Sequence, residues 1–449
     1  MPHHNRPDFR HTSAAARPVE MLEARRLLAI AMDGSTLVIT GTEGNDDVSL
    51  SLSGSLLTAT LQPGAGDLET LEVDVGDVSV IRVSLLAGND TLQAGNVSLA
   101  GAFTTPFDVD GGAGNDLILT GDGNDSIVGG DGFDQVAAGA GDDFILGGAG
   151  PDNILGGDGN DTLAGEGGND TLRGEGGDDQ LNGGGGDDLL HGHDGADEMR
   201  GESGQDKLVG GAGADVILGN EGEDNLVGSA GDDLLLGGGG MDWIEGNDDN
   251  DDLYSNVRAG DIEDSEQDLH AYLDGGNGRD DLLGSRYEED VTVGGTTFRG
   301  DTLLGGAQDD LISGFEGHDF AEGGSGDDTI FGDDGDDTLA GNDGDDDIFG
   351  DNGDDEVDGG NDADSLRGGR GNDILDGFNG DDILLGDAGE DTMFGGMGND
   401  ILDAVDDEID EMLGEEGDDD LFGDFDLDEF LGGPGADRYF DENDDQFGE

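Results

Sequence analysis

From Gly111 to Tyr254 the chain repeats every nine residues without insertion or deletion, sixteen units in succession. The run begins GGAGNDLIL, TGDGNDSIV, GGDGFDQVA, AGAGDDFIL, GGAGPDNIL, GGDGNDTLA. Position six is Asp in every unit, and position eight is always aliphatic, with Ile118, Ile127, Val136, Leu163, Met199 and Ile244 among its occupants. Position four is Gly until the last unit, where Asp249 stands. A short fixed period marks a unit too small to bury its own apolar face. Such a unit acquires a core only by stacking on copies of itself.

Within a unit, positions one to five are Gly and small polar residues, which allow the positive φ angles of a sharp turn. Positions seven to nine, such as Leu117-Ile118-Leu119 or Thr162-Leu163-Ala164, predict a very short strand with only the middle side chain facing inward. Two units then close one coil of eighteen residues, and stacked coils form two parallel sheets with the position-eight side chains between them. Eight coils at about 4.8 Å each make a rod of about 38 Å.

The unit G-G-x-G-x-D-x-U-x, with U a large aliphatic residue, resembles the RTX or hemolysin-type calcium-binding repeat. The resemblance implies an all-β, right-handed parallel β-roll with two nonapeptides per coil, exported from a bacterial cell, holding many Ca2+ ions at roughly one per repeat inside each run. An argument from charge reaches the same ion. Stacking sets the position-six carboxylates of units n and n+2 about 4.8 Å apart, a repulsion of about 3.5 kcal/mol per pair at an effective dielectric of 20. One buried aliphatic side chain returns about 1.5–3 kcal/mol. A metal-free stack is therefore disfavoured, and a hard dication reverses the sign. Carboxylate and carbonyl oxygens on flexible glycine turns suit the irregular shell of calcium better than the strict octahedron of magnesium.

The candidate metal ligands are the position-six aspartates. In the first run these are Asp116, Asp125, Asp134, Asp143, Asp152, Asp161, Asp170, Asp179, Asp188, Asp197, Asp206, Asp215, Asp224, Asp233, Asp242 and Asp251. Asp280 follows in an isolated unit, Gly275 to Leu283. Between Gly305 and Asp403 come Asp310, Asp319, Asp328, Asp337, Asp346, Asp355, Asp364, Asp373, Asp382, Asp391 and Asp400. Asp419, Asp428 and Asp437 belong to three looser units from Gly414 to Phe440. Pairs of units inside the unbroken runs offer about two dozen sites, whose ions would offset about half of the formal charge of −96.

That charge, 92 Gly, 7 Pro and only 5% aromatic residues would ordinarily mean a disordered chain. The periodicity overrules composition, provided cations are present. The excess of acid also makes nucleic acid and anionic membrane poor partners. With no Cys, a disulfide framework and thiol catalysis are excluded. No apolar run approaches the length of a membrane span. An extracellular or cell-surface location follows from calcium, since extracellular modules work at millimolar affinity.

Residues 1–32 form a basic leader, locally +2, with Arg6, Arg10, Arg17, Arg25 and Arg26. Its apolar stretch Leu27 to Met32 is short for a conventional signal peptide. The run Leu22-Glu23-Ala24-Arg25-Arg26-Leu27-Leu28 resembles the L-E-P-R-x-L-L export motif of large repetitive proteins in one group of budding bacteria, with Ala24 in place of Pro. A plain amphipathic helix, with Val19, Leu22, Leu27 and Ile30 on one face, is the simpler alternative. Residues 33–110 carry β-type runs (Thr36 to Thr40, Val48 to Leu52, Leu56 to Leu61, Leu71 to Val75, Val78 to Leu85) and two repeat fragments around Asp46 and Asp90. They predict a β-rich segment capping the roll. Asp46 and Asp90 are either further ligands or simple Asn-Asp turns.

Residues 255–304 interrupt the rhythm, with a short helix expected around Ile262 to Leu273 and a surface loop as the plain reading of the remainder. The second run spans 305–440. Its weaker units have Gln308 or Asp362 at position four, or Ala321 in the core, and Ala404 to Leu413 is a ten-residue slip. An acidic tail, 441–449, follows.

No H-E-x-x-H, G-x-S-x-G, P-loop or dinucleotide fingerprint occurs. The Asp-rich loops lack the Glu that an EF-hand places at position twelve. His191-Gly192-His193 spells a transition-metal pair, although positions nine and two of successive units should be ordinary surface. Arg299-Gly300-Asp301 spells an adhesion tripeptide, but Asp301 also falls at position six of a degenerate unit. The leading reading is a non-enzymatic, exported calcium-binding protein with a structural, adhesive or cell-surface role and an unidentified surface or matrix partner. The alternative is the repeat and secretion portion of a toxin or hydrolase. Neither 33–110 nor 255–304 is long enough for its effector domain. A salt-adapted acidic surface is the third reading, in which acids would scatter rather than recur at position six.

Overall fold

The computed structural model describes residues 29–53, 55–64, 68–94, 104–255, 272–284, 291–293, 296–298, 300–405, 408–423, 428–441 and 446–447. Successive nonapeptides alternate between two sheets, and each strand pairs in parallel with the one eighteen residues on. Ile145 thus lies opposite Leu163 in one sheet and Val136 opposite Ile154 in the other. The chain is a parallel β-solenoid, all-β as its period requires.

The strands are longer than the sequence predicts. Asn153–Asp158 and Thr162–Gly167 each run six residues, from position seven through position three of the following unit. Two positions face inward, the aliphatic residue at eight and the Gly at one, which is why the burial pattern has two buried positions. The backbone of the next coil supplies partners for positions two and three, so the ladder continues where a free loop was expected. Only positions four to six turn.

Position-eight side chains from Ile118 to Leu421 are at most 3% exposed, including Ala321. They form one core that continues through Leu253, Leu273, Leu282 and Leu303. The two runs are accordingly one stack. Asp252–Tyr254 pairs with Asp281–Leu283, which pairs with Leu311–Ser313, while Trp243–Asp248, Tyr272–Asn277 and Thr302–Ala307 continue the other sheet. Strand pairing thus continues unbroken across both insertions. The helix expected over Ile262 to Leu273 is corrected at its end, where Tyr272 and Leu273 are strand, and residues 262–271 lie outside the described residues. In the second insertion Val291–Val293 pairs antiparallel with Thr296–Phe298.

The leading strands are β1 (Ala29–Asp33), β2 (Thr36–Thr40), β3 (Asp46–Ser53), β4 (Leu56–Pro63), β5 (Glu69–Asp74), β6 (Val80–Ser84), β7 (Thr91–Ala94), β8 (Phe107–Ala113) and β9 (Leu117–Leu119). One sheet enters the roll through β2, β6 and β8 in parallel, and the other through β3, β7 and β9. Beyond β2 lies antiparallel β1, and beyond β3 lie antiparallel β4 and β5. The helical alternative for the leader does not reach Ile30, which is in β1 opposite Ile39. The L-E-P-R-x-L-L-like run lies outside the described residues. Core side chains of this segment, among them Leu37, Val48, Leu57 and Ile81, join the core of the roll.

Candidate metal centre

Because the turn repeats every eighteen residues along each edge, the position-six aspartates fall into two columns, and nearly all are buried. In each column the backbone N–H of one Asp donates to Oδ1 of the Asp one coil further on. The first column runs unbroken from Asp125 to Asp437 at 2.7–3.3 Å. It crosses both insertions, Asp251 to Asp280 and Asp280 to Asp310, at spacings of 29 and 30 residues. The second column runs from Asp46 through Asp90 and Asp116 to Asp242, then again from Asp301 to Asp428. Between these halves the register Trp243–Tyr272–Thr302 leaves it without a carboxylate, since Ala271 precedes Tyr272.

Sequence reasoning left four members of these columns unassigned. Asp46 and Asp90 head the second column, 1% and 2% exposed. Asp301, at position six of a degenerate unit but not among the candidate ligands, is 1% exposed and donates its N–H to Asp319 Oδ1. Asp410 was hidden in the ten-residue slip, which is a complete unit with one extra residue, so that Asp391 reaches it at a spacing of 19. For Asp301 and Asp410 the available signal is an Asp nine or ten residues from its neighbours with an aliphatic residue two further on. Gln308 and Asp362 at position four do not disable their units, since Asp310 and Asp364 remain buried.

The second carboxylate oxygen defines the chemistry. Oδ2 of Asp116, Asp134, Asp152, Asp161, Asp179 and most other column members is buried with no hydrogen-bond partner among the described residues. It folds over the position-one Gly of its own unit. A Cβ on Gly129 would lie 2.7 Å from Asp134 Oδ2, and one on Gly147 would lie 2.6 Å from Asp152 Oδ2. Glycine at position one is thus the cradle for the carboxylate. Asp46 differs, because its Oδ2 accepts the Thr42 N–H at 2.5 Å and closes the column.

A second ladder escaped the sequence reading. The position-five Asx side chains accept N–H bonds in the opposite direction, from the unit one coil further on. Asn115 takes the N–H of Phe133, Asn160 that of Asp178 and Asp178 that of Ala196, at 3.0–3.1 Å. Asp309, Asp345 and Asp354 do the same in the second run. These turns therefore have their backbone donors at positions five and six tied to neighbouring coils, one in each direction.

Burial of a carboxylate with an unpaired oxygen raises its pKa, because the charged form loses hydration. Burial pushes Asp143, Asp224 and Asp364 up to about 8, and the neighbouring carboxylates of the same column add to the rise against the lowering by the donated backbone N–H. Asp116, Asp152, Asp179 and Asp188 reach about 7 for the same reasons. A raised carboxyl stabilises the metal-free fold fully below its unfolded value of 3.8, and this contribution is lost as pH climbs through the folded values of about 7 to 8. The calcium-free chain is therefore expected to hold more β-structure near pH 4 than near pH 8, as read by circular dichroism. A cation must displace those protons, so its binding should strengthen across the same rise in pH. Calorimetry in two buffers of different ionisation enthalpy measures the protons released. Binding at about pH 7 with no proton release would contradict this assignment.

The donors fit calcium. Among the described residues no three His, Cys, Asp or Glu side chains converge on one point. An ion held here would use the position-six carboxylates together with backbone carbonyls and water, the mixed oxygen shell that calcium accepts. The turns offer such carbonyls. A methyl group built on Gly148 or Gly150 would run into the carbonyl oxygen of Gly130 or Gly132 in the preceding coil. When bound, the ion would neutralise the column charge.

Overlapping windows of the chain match the model of the RTX calcium-binding nonapeptide repeat in four copies. They run from residues 108–136 to 227–256 and from 296–330 to 405–439. The curated proteins contain no match to the chain. With more than half of its residues matched by that repeat, and with the repeat realised as a two-sheet solenoid, the chain belongs to the RTX calcium-binding nonapeptide-repeat family.

Proposed function

We propose that this protein is an exported, non-catalytic rod whose folding is completed by calcium outside the cell, where it serves a structural or adhesive role at a surface. The observation that carries the reading is the unbroken column of aspartates from Asp125 to Asp437, buried as far as Asp419, with one oxygen of most carboxylates left unpartnered. Buried charge of this density is tolerated only when matched by opposite charge. The position-six carboxylates named from the sequence, together with Asp90, Asp301 and Asp410, are the ligands in this reading. The core carries only one inward aliphatic row per sheet, so the roll depends on its ions in the way small metal-folded domains do. Extracellular calcium is millimolar, which permits many weak sites to fill together.

A single titration tests both halves of the proposal. Calcium binding to the full chain, followed by calorimetry and native mass, should saturate at about two dozen ions or more, with half-saturation between tens of micromolar and millimolar. Saturation at two or three ions would remove the columns as sites. Half-saturation far below a micromolar would place the protein with cytosolic buffers instead.

A further inference from the structure

The calcium columns are built of oxygen donors and leave the histidines of the roll unused. We propose that His191 and His193 form a separate surface site for a borderline transition-metal dication such as Zn2+, Ni2+ or Cu2+. Both lie in the strand Leu189–Asp194, and Gly192 between them faces inward. Residues two apart in a strand share a face. The imidazole centres are 5.4 Å apart with their planes inclined by 26°. Two imidazoles bound to one tetrahedral ion at a metal–nitrogen distance of about 2.0–2.1 Å have ring centres about 5 Å apart. The ring centres therefore stand at the spacing of a shared ion, which the nitrogens would reach by rotation of the stacked rings.

The neighbouring strands set one acidic and two basic residues around the pair. In the preceding strand of the same sheet, Glu175 is in register with His193, and both have left-handed backbone, with φ of 80° each. Arg173, in register with His191, turns its guanidinium to Asn153 Oδ1 at 3.4 Å in the coil before. Lys207 stands opposite Leu189, and with Arg173 it places positive charge near His191 that a bound dication must overcome. The chain as a whole, at −96, draws dications to its surface. No third ligating side chain converges on the pair among the described residues, so water completes the shell. Imidazole selects zinc, nickel or copper over calcium, which keeps this site distinct from the columns.

The test uses the full chain in saturating calcium, with His3, His4 and His11 replaced by Asn to remove the metal-binding capacity of the leader. Titration with Zn2+ should show one zinc per chain binding ahead of any exchange at the aspartates. His191→Asn and His193→Asn should each weaken that first equivalent about tenfold or more, with calcium stoichiometry and circular dichroism unchanged. Paramagnetic broadening by Ni2+ in the unsubstituted chain gives a readout independent of mutation, because the ring signals of His191 and His193 should vanish together. The site is refuted if the zinc isotherm is the same in parent and variants, if no first equivalent appears, or if nickel leaves those two rings sharp.

Discussion

Chelation of calcium by EDTA near pH 9 is expected to abolish most of the β-sheet circular dichroism of the full chain, and re-addition of calcium to restore it. Each unit of the metal-free roll gains about 1.5–3 kcal/mol from its inward aliphatic side chain. It gains a further 1.5–3 kcal/mol or so from the hydrogen bond that the backbone N–H gives to Oδ1 of a charged carboxylate. Against this stands a repulsion of about 3.5 kcal/mol between successive carboxylates about 4.8 Å apart. The unpartnered Oδ2 and the chain entropy lost on ordering come on top. Protonation relieves part of the repulsion, since several column members titrate at about 7 to 8, but above that range the relief is gone. Nothing local holds the roll once its ions leave. Because every coil rests on its neighbours, loss should be cooperative along the stack. A chain that kept its full β signal in EDTA at this pH would show that something other than calcium joins the coils.

Gly186→Ala should be among the most damaging substitutions of a surface turn, while Gly185→Ala beside it should be close to neutral. Both belong to the four-glycine run Gly183–Gly186, so the contrast isolates backbone geometry from composition. Gly186 is at position four with φ of +133°, a region that L residues rarely adopt. A methyl group there would overlap the carbonyl of Gly168 one coil earlier. Relaxing to the ordinary left-handed well is the only escape. The chain uses it where position four is not Gly, with φ of 79° at Asp249, 84° at Gln308 and 79° at Asp362. At Gly186 the move would shift the turn that carries Asp188. Strain of about 1–3 kcal/mol, plus displaced carbonyls on both sides, should lower the unfolding temperature of the calcium-loaded chain and raise its calcium midpoint. Gly185, by contrast, has no positive φ, and a methyl there would meet only Ser203 Oγ at 3.6 Å and Glu166 O at 3.9 Å. Equal unfolding temperatures for the two variants would mean that close stacking of position-four carbonyls is unimportant.

Non-glycine residues at position two point the same way. Glu166, Glu175 and His193 sit there at φ of 72°, 80° and 80°, which a side chain tolerates at modest strain. Their side chains project outward. Position two therefore varies in sequence, whereas position four hardly does.

Much of this architecture could be read before any coordinates existed. The two-sheet roll, the inward row from Ile118 to Leu421 and the aspartate columns all follow from spacing that is local, each unit carrying its whole signal within nine residues. Where the signal was incomplete, only tertiary pairing could decide. Asp301 and Asp410 look irregular in the linear chain, yet they stand in register because strands eighteen to thirty residues apart hydrogen-bond across the insertions. The same pairing unites two apparently separate runs and exposes the one missing carboxylate in the second column, beside Tyr272. It also ties position one to its own Asp and position five to the neighbouring coil, relations invisible to a period that treats every unit alike. Periodicity is a property of near neighbours in sequence, and register across an interruption is a property of neighbours in space. The first can be counted along the chain, while the second exists only once the coils are stacked.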